Sequence, residues 1–426
     1  MKLSKYVIIT DSIDNKYKLL YNKKNGYFIR YDKKLFENLD NFTNHKEIEM
    51  FLQNKDFLTS DEEFMQIKKN KNDLLESKGL LNLIVKITKD CNLRCSYCYE
   101  TFEKKYMDKY QADKLTKFIK KYITQHNIST VILSWFGGEP TLNIDIINYI
   151  LGNIKDFLKD NNVTLISSIV TNGYNLDKFT FNKLLDLGIS QFQITVDGNK
   201  EMHDKNRFTK EGTGSFDVIL KNLINILNNN NNFSVTLRLN VNNTFFENLN
   251  SIKKDVLDYF KNDSRFVIDV HTIVDFDNFK NDNIDSILAE TLLNLVKDGY
   301  KIIDQRINLN SNSSMCYAQR ENHFVVDVDS KISKCTVCNY PFSYIGEIND
   351  EGILEFNDNL EIWKAVNKIE CPNCNNYPIC FGASCPLKSI IKNKNICKTF
   401  MNNDETLLKI LNEQKKYNMT IGGEYV

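Results

Sequence analysis

LNLIVKITKDCNLRCSYCYE, residues 81–100, is the stretch that decides the fold, because an apolar run leads directly into three closely spaced cysteines. Cys91, Cys95 and Cys98 follow a C-x3-C-x2-C spacing, so three thiolates lie on one short loop. A closed tetrahedral zinc site needs a fourth ligand, whereas a [4Fe–4S] cluster held by three cysteines keeps one iron open. The spacing favours the cluster, and a zinc loop that takes a ligand from elsewhere remains the alternative.

Apolar runs alternate with amphipathic segments downstream of this loop. The strand-like runs cover residues 82–88, 131–136, 163–170, 189–196, 233–241 and 266–274. Residues 112–126 carry apolar side chains at helical spacing between the first two runs. We therefore predict an α/β fold with a partial (β/α)6, TIM-like barrel, whose chemistry lies at the carboxyl ends of its strands.

Composition excludes several classes of protein. The chain has 426 residues, of which 42% are apolar and 26% charged, so it is neither disordered nor fibrous. Lys+Arg and Asp+Glu number 55 each, which predicts no nucleic-acid partner. No secretory signal and no run of about 18–20 apolar residues is evident, which predicts no membrane partner and a cytoplasmic location. In that reducing compartment, eleven cysteines point to metal or redox chemistry.

Two further regions flank the core, which we place at 79–308. Residues 1–78 form a small α+β unit with a hairpin at Asn25-Gly26 and short helices at 35–42 and 45–55. The sequence leaves two interpretations of this unit, a capping subdomain and a peptide-docking unit. Residues 309–426 show little periodicity and predict a loop-rich domain held by metal. The eight remaining cysteines lie there: Cys316, Cys335, Cys338, Cys371, Cys374, Cys380, Cys385 and Cys397.

The first cysteine motif, with Tyr97 before its last cysteine, resembles the radical S-adenosylmethionine (SAM) enzymes. The resemblance implies that the open iron binds the amino and carboxylate groups of SAM. It also implies that the 5′-deoxyadenosyl radical formed there abstracts a hydrogen atom from the substrate.

Later segments occupy the places where that family contacts SAM. Gly137-Gly138-Glu139-Pro140 follows the second run, and the resemblance assigns it to the SAM amino group. Ser168 and Asn172, at the end of the third run, resemble residues that contact SAM polar groups. Asp197 and Arg207 follow the fourth run and resemble the peptide-modifying branch. Taken singly, Ser168, Asn172 and Arg207 are explained as well by ordinary turn chemistry and surface charge.

The C-terminal cysteines are similar to the SPASM extension, which carries two auxiliary [4Fe–4S] clusters. By that pattern Cys371, Cys374, Cys380 and Cys397 hold the outer cluster, and Cys316, Cys335 and Cys385 hold the inner one. Three departures stand out: Ser330 replaces the usual glycine, the Cys380–Cys385 gap is one residue longer, and Cys338 is additional. Cys338 either completes the inner cluster or stays a free thiol.

The resemblance implies a maturase of ribosomally made peptides, of the sactipeptide or ranthipeptide type, that forms a thioether or carbon–carbon cross-link. It would use SAM and three [4Fe–4S] clusters, with a flavodoxin- or ferredoxin-type electron donor. Its partner would be a precursor peptide whose leader docks on a winged-helix-like N-terminal unit. An anaerobic sulfatase-maturating enzyme, which forms formylglycine, is the alternative. A non-catalytic zinc-binding scaffold is a more remote alternative. No catalytic base is identifiable from spacing.

Overall fold

A computed structural model describes residues 2–33, 46–273, 284–303, 315–382, 385–393 and 404–416. The chain divides into two compact units, one of residues 76–274 and 317–365, the other of residues 1–75, 275–316 and 366–426. The helix predicted at 35–42 and Cys397 lie outside the described residues. Within the described ranges, no helix has both the length and the apolar character needed to span a bilayer.

We number the elements along the chain. The strands are β1 (Val7–Asp11), β2 (Tyr17–Asn22), β3 (Phe28–Asp32), β4 (Leu80–Thr88), β5 (Leu93–Cys95), β6 (Thr130–Gly137), β7 (Thr164–Thr171), β8 (Gln191–Thr195), β9 (Arg207–Thr209), β10 (Ser234–Val241), β11 (Phe266–Thr272), β12 (Ile302–Ile303), β13 (His323–Val326), β14 (Lys331–Ser333), β15 (Tyr344–Ile348) and β16 (Leu354–Phe356).

Helices separate most of these strands. They are α1 (Lys46–Asn54), α2 (Glu63–Glu76), α3 (Lys109–His126), α4 (Ile144–Asp160), α5 (Lys178–Asp186), α6 (Lys200–Asn206), α7 (Phe216–Leu227), α8 (Asn243–Glu247), α9 (Leu249–Asp255), α10 (Ile284–Lys297), α11 (Asn359–Val366), α12 (Tyr377–Cys380), α13 (Pro386–Lys392) and α14 (Asp404–Lys416).

A parallel sheet forms the core of the 76–274 unit. The strands β4, β6, β7, β8, β10 and β11 neighbour one another in that order, each pair parallel. On β6, Val131, Leu133 and Trp135 are fully buried, whereas Ser134 projects from the opposite face and meets Ser168 of β7. The six predicted runs correspond to these six strands. The predicted α/β class is therefore confirmed.

The sheet continues beyond β4 into a region where the sequence predicted little regular structure. β13 pairs in parallel with β4, and β14, β15 and β16 follow as an antiparallel extension. These strands have only three to five residues each, too short for a periodic pattern. Ser330, in the turn before β14, adopts φ +65°, the left-handed region that glycine favours. The turn thus takes a glycine-type conformation although it carries a serine.

The unit that contains the N-terminus holds a three-stranded antiparallel sheet, β1-β2-β3. Gly26 has φ +77° in the loop between β2 and β3, so the predicted hairpin is confirmed. The sequence did not reveal β1. A small core of Leu20, Leu52, Phe57 and Leu58 joins this sheet to α1 and the turn that follows it.

Candidate functional site

The cysteine loop is anchored where β4 ends. Its strand β5 pairs antiparallel with β9, which sets Cys95 directly opposite Arg207. Asp90 accepts a hydrogen bond from the Cys91 backbone N–H at 2.9 Å. The same carboxylate is held by the Lys210 ammonium at 2.7 Å and the Tyr106 hydroxyl at 2.6 Å. The loop is therefore fixed on both sides of Cys91.

Exposure increases along this loop from Cys91, which is buried, through Cys95, which is half-buried, to Cys98, which is exposed, although the surrounding protein partly desolvates all three sulfurs. Burial raises the pKa of Cys91 to about 12, and burial also raises the pKa values of Cys95 and Cys98. The Asn172 side-chain amide, 3.6 Å from the Cys91 sulfur, and the Leu93 backbone N–H at 3.4 Å support a thiolate at Cys91 locally. Because a metal centre stabilises thiolates directly, these three thiols suit metal ligation.

A single metal ion and an iron–sulfur cluster require different arrangements of these thiols. Among the described residues, no group of three or more His, Cys, Asp and Glu side chains converges closely enough to hold one metal ion. A zinc ion requires ligands that meet at one point about 2.3 Å from each sulfur. In a [4Fe–4S] cluster, each cysteine instead binds a different iron, so the sulfurs stand apart. The donor set fits the cluster.

Gly137 and Gly138 allow the end of β6 to lie against the cysteine loop. Gly137 has φ +125°, and a Cβ atom added there would meet the Thr88 carbonyl oxygen at 2.1 Å. At Gly138, a Cβ would meet the Asp90 carbonyl oxygen at 2.1 Å. Close approach permits two backbone hydrogen bonds, from Gly138 N–H to Thr88 and from Glu139 N–H to Asp90, both 2.8 Å long.

Glu139 is fully buried and joins the ends of β6 and β7. Its Oε1 accepts from the Thr141 N–H and hydroxyl and from the Thr171 hydroxyl, and its Oε2 accepts from the Asn172 N–H. Burial raises the pKa of Glu139, and these hydrogen bonds act in the opposite direction. Pro140 begins the buried 3-10 turn that follows. Oε2 retains acceptor capacity for a cationic ligand.

A second polar group forms around Tyr97. Its hydroxyl donates to Asp197, and it accepts from Arg207 at 2.9 Å and from the Asn240 side-chain amide at 3.1 Å. Arg207 lies 3.9 Å from the Asp197 carboxylate. Both charged side chains are at least nine-tenths buried, at 5% and 2% exposure. The buried Arg207 Nε has no hydrogen-bond partner within the described ranges, so this guanidinium has a donor left for an anionic group.

The structure therefore brings together most of the predicted residues in this unit. Asn172 bridges Cys91 and Asn92, while Ser168 lies in the middle of β7 and bonds to Ser134 at 2.8 Å instead of to the cysteine loop. Ser168 thus sits apart from the predicted polar contacts. Sequence reasoning missed Asn240 on β10, because a single asparagine in a strand carries no motif.

The other cysteines lie in both compact units. The ten described cysteines form no disulfide with one another. Cys335 and Cys338 follow β14, and the Cys338 sulfur lies 3.2 Å from the Ser333 hydroxyl and 4.0 Å from the buried Lys86 ammonium. In the other unit, Cys316 is half-buried, Cys380 ends α12, and Cys385 directly precedes α13. Cys371 and Cys374 pack against one apolar core there.

Comparison with known proteins agrees with this geometry. A family model described as the radical SAM superfamily matches residues 85–244, which span β4 to β10. A cysteine-type anaerobic sulfatase-maturating enzyme of Clostridium novyi (strain NT) is 27% identical over 339 residues. That alignment covers 71% of this chain and 87% of the relative.

Two solved structures share the fold. Native anSMEcpe with bound AdoMet aligns with a TM-score of 0.60 at 19% identity, covering 80% of this chain and 99% of that one. Streptococcus suis SuiB bound to the precursor peptide SuiA aligns with a TM-score of 0.53 at 13% identity, covering 92% and 97% of the two chains. The likeness of fold thus extends well beyond the matched core.

We predict that Gly138→Ala destabilises the protein by about 1–3 kcal/mol, because the new Cβ forces the Asp90 backbone away. Gly152→Ala is the matched control, since a Cβ at that helical position meets nothing within 4 Å. It should leave stability unchanged or increase it by up to about 1 kcal/mol. Anaerobic urea denaturation under reducing conditions measures both, and equal midpoints for the two variants would contradict the packing described for Gly138.

Proposed function

Because this chain is a radical SAM enzyme of the SPASM type, we propose that it matures a ribosomally made precursor peptide by forming a thioether or carbon–carbon cross-link. The single observation that carries the proposal is the pairing of β5 with β9, which sets the cysteine loop beside the buried Arg207 and Asp197. Similarity of fold to SuiB, solved with a precursor peptide, supports a peptide substrate.

The chain's own residues would hold the cofactors. Cys91, Cys95 and Cys98 would bind a [4Fe–4S] cluster, which with SAM supplies the radical that abstracts hydrogen from the substrate. Glu139, through its Oε2, suits the ammonium group of SAM, and Arg207, through its free Nε, suits the carboxylate. Burial of both residues keeps water away from the reacting groups.

Cross-linking is a net oxidation, so the electron released by the peptide needs a way out. We assign two auxiliary [4Fe–4S] clusters to the C-terminal cysteines as that path, and a flavodoxin- or ferredoxin-type protein as the external electron donor. The N-terminal three-stranded sheet would dock the leader by strand addition. Cytoplasmic location follows from this requirement for reduced clusters.

An anaerobic sulfatase-maturating activity is the second candidate. The relative from Clostridium novyi, which covers 71% of this chain, specifically favours it. That chemistry would oxidise a cysteine or serine of a protein substrate to formylglycine with the same core. The two candidates share SAM cleavage and differ in the product.

Anaerobic incubation with SAM, a reductant and a precursor peptide encoded beside this gene tests the proposal. We expect 5′-deoxyadenosine and a peptide that has lost two hydrogens, with fragmentation blocked between the joined residues. Since serine oxidation also removes two hydrogens, an aldehyde-reactive probe must leave the product unlabelled. A labelled product would instead establish formylglycine formation, and no 5′-deoxyadenosine would defeat both candidates.

Arg207→Gln should weaken SAM binding about 10- to 100-fold, because a buried charge-assisted hydrogen bond contributes about 1.5–3 kcal/mol. Equilibrium dialysis of the reconstituted variant measures this dissociation constant. Arg30→Gln, on the N-terminal sheet where Arg30 lies over the Tyr17 ring, is the control and should bind SAM normally. Unchanged SAM affinity of Arg207→Gln at full iron content would remove Arg207 from the proposed site.

We propose that Cys338 completes the inner cluster's ligand set. Lys86, which is 3% exposed and lies 4.0 Å from the Cys338 sulfur, supplies a positive charge beside a thiolate there. Cys338→Ala should therefore alter the cluster spectra and lower the iron content from about twelve per chain. Exposed Ser96, replaced by alanine, serves as the control. Unchanged iron and electron paramagnetic resonance spectra in Cys338→Ala would show that Cys338 is a free thiol.

A further inference from the structure

Part of the N-terminal segment packs against two cysteines of the proposed outer cluster. In the unit of residues 1–75, 275–316 and 366–426, a core of buried side chains contacts Cys371 and Cys374. The buried members of this core are Tyr6, Ile67, Met315, Tyr377 and Phe381. Tyr6 directly precedes β1 and Ile67 lies on α2. The N-terminal segment, which is predicted to dock a peptide, therefore also packs beside Cys371 and Cys374.

Two hydroxyl groups in this core lack partners. Tyr6 is 1% exposed and Tyr377 is 0% exposed. Neither phenol oxygen makes a hydrogen bond to any residue that the structure describes. Leaving a buried hydroxyl without a hydrogen bond is energetically costly, so two in one core indicate that an acceptor belongs there. Sulfur atoms of an iron–sulfur cluster accept such hydrogen bonds.

Burial and neighbouring ionisable groups both act on these two phenols. Burial, then Glu63 and Cys374, raise the pKa of Tyr6. Burial, then Glu370, Cys371 and Cys380, raise the pKa of Tyr377. Three of the four proposed outer ligands, Cys371, Cys374 and Cys380, are thus among the ionisable neighbours of the two phenols.

Lysines from the same N-terminal segment bind the backbone on either side of Cys371. The Lys71 ammonium, 4% exposed, donates to the Ile369 carbonyl at 2.9 Å and lies 5.8 Å from the centre of the Tyr377 ring. Lys5 donates to the Pro372 carbonyl at 2.7 Å. A buried cluster with four thiolate ligands carries negative charge, which a buried ammonium offsets. The two tyrosine hydroxyls and the two lysine ammonium groups therefore all suit an anionic, sulfur-rich group.

We propose that Tyr6 and Tyr377 donate hydrogen bonds to sulfur atoms of the outer auxiliary cluster, so that the N-terminal segment forms part of that cluster's site. This inference rests on the proposed function, which places a [4Fe–4S] cluster on Cys371, Cys374 and Cys380. Hydrogen bonds to sulfur stabilise the more negative, reduced cluster and raise its reduction potential. Tyr6 and Tyr377 are thus positioning residues that tune the electron path.

Tyr6→Phe in the full-length, anaerobically reconstituted protein tests the inference, because it removes only the hydroxyl and keeps the ring in the core. A redox titration followed by electron paramagnetic resonance measures the midpoint potential of each cluster. Cys371→Ala/Cys374→Ala identifies the signal of the outer cluster by its loss. We expect that signal to titrate at a more negative potential in Tyr6→Phe, and more negative still in Tyr6→Phe/Tyr377→Phe.

Tyr27→Phe is the matched control, since Tyr27 lies in the same unit and its hydroxyl already accepts from Lys55 at 2.7 Å. It should leave every potential unchanged. A selective loss of outer-cluster iron in Tyr6→Phe would also support the inference. Wild-type potentials at full iron content in the double tyrosine variant would overturn it. If Cys371→Ala/Cys374→Ala retains the iron content and spectra of the parent protein, the outer cluster itself is wrong, a failure visible without any tyrosine variant.

Discussion

The site depends on a backbone-to-backbone contact between the cysteine loop and the Gly137-Gly138 segment. Gly138 and Glu139 each donate an N–H to a carbonyl of residues 88–90, at 2.8 Å. These bonds require carbonyl oxygens 2.1 Å from where a Cβ would stand, which only glycine permits. The contact fixes Cys91 beside Asn172 and aligns Glu139 with the end of β7. The proposed iron ligand Cys91 and the Glu139 carboxylate, which is proposed to bind SAM, therefore lie at the same edge of the sheet.

A buried ion pair of Arg207 and Asp197 lies at this edge. Asp197 and Arg207 are both buried and share Tyr97 as a common partner. A buried ion pair of this kind contributes little to stability, because desolvation offsets the Coulomb attraction. Its value lies in orientation, since Arg207 keeps one donor free and is held opposite Cys95 by the β5–β9 pairing. His203 completes the arrangement by accepting from the Asp197 N–H.

Much of this could be predicted from the sequence because the long parallel strands are rich in apolar residues, with buried positions that alternate along the strand. All six predicted runs became neighbouring strands, and the motifs at their ends met as expected for a parallel sheet. The strands β13 to β16 were missed because three to five residues carry too little pattern. Asn240 and Lys210 were missed for another reason: each acts through a partner distant in sequence. Such contacts follow from the fold and leave no local signal.

The N-terminal three-stranded sheet is linked to two proposed roles, leader docking and support of the outer cluster. Tyr6 precedes β1 and is tied into the core beside Cys371 and Cys374, and α14 bonds to the same strand through Glu405 and Thr10. Contacts inside this unit therefore hold β1 at both of its ends. β2 lies between β1 and β3 and pairs antiparallel with both of them. Leader docking by strand addition, as proposed above, and support of the outer cluster would therefore both involve this three-stranded sheet. A peptide held by this sheet would share its hydrogen-bonded strands with the residues that pack beside Cys371 and Cys374, which gives the proposed docking and the proposed electron path a common support.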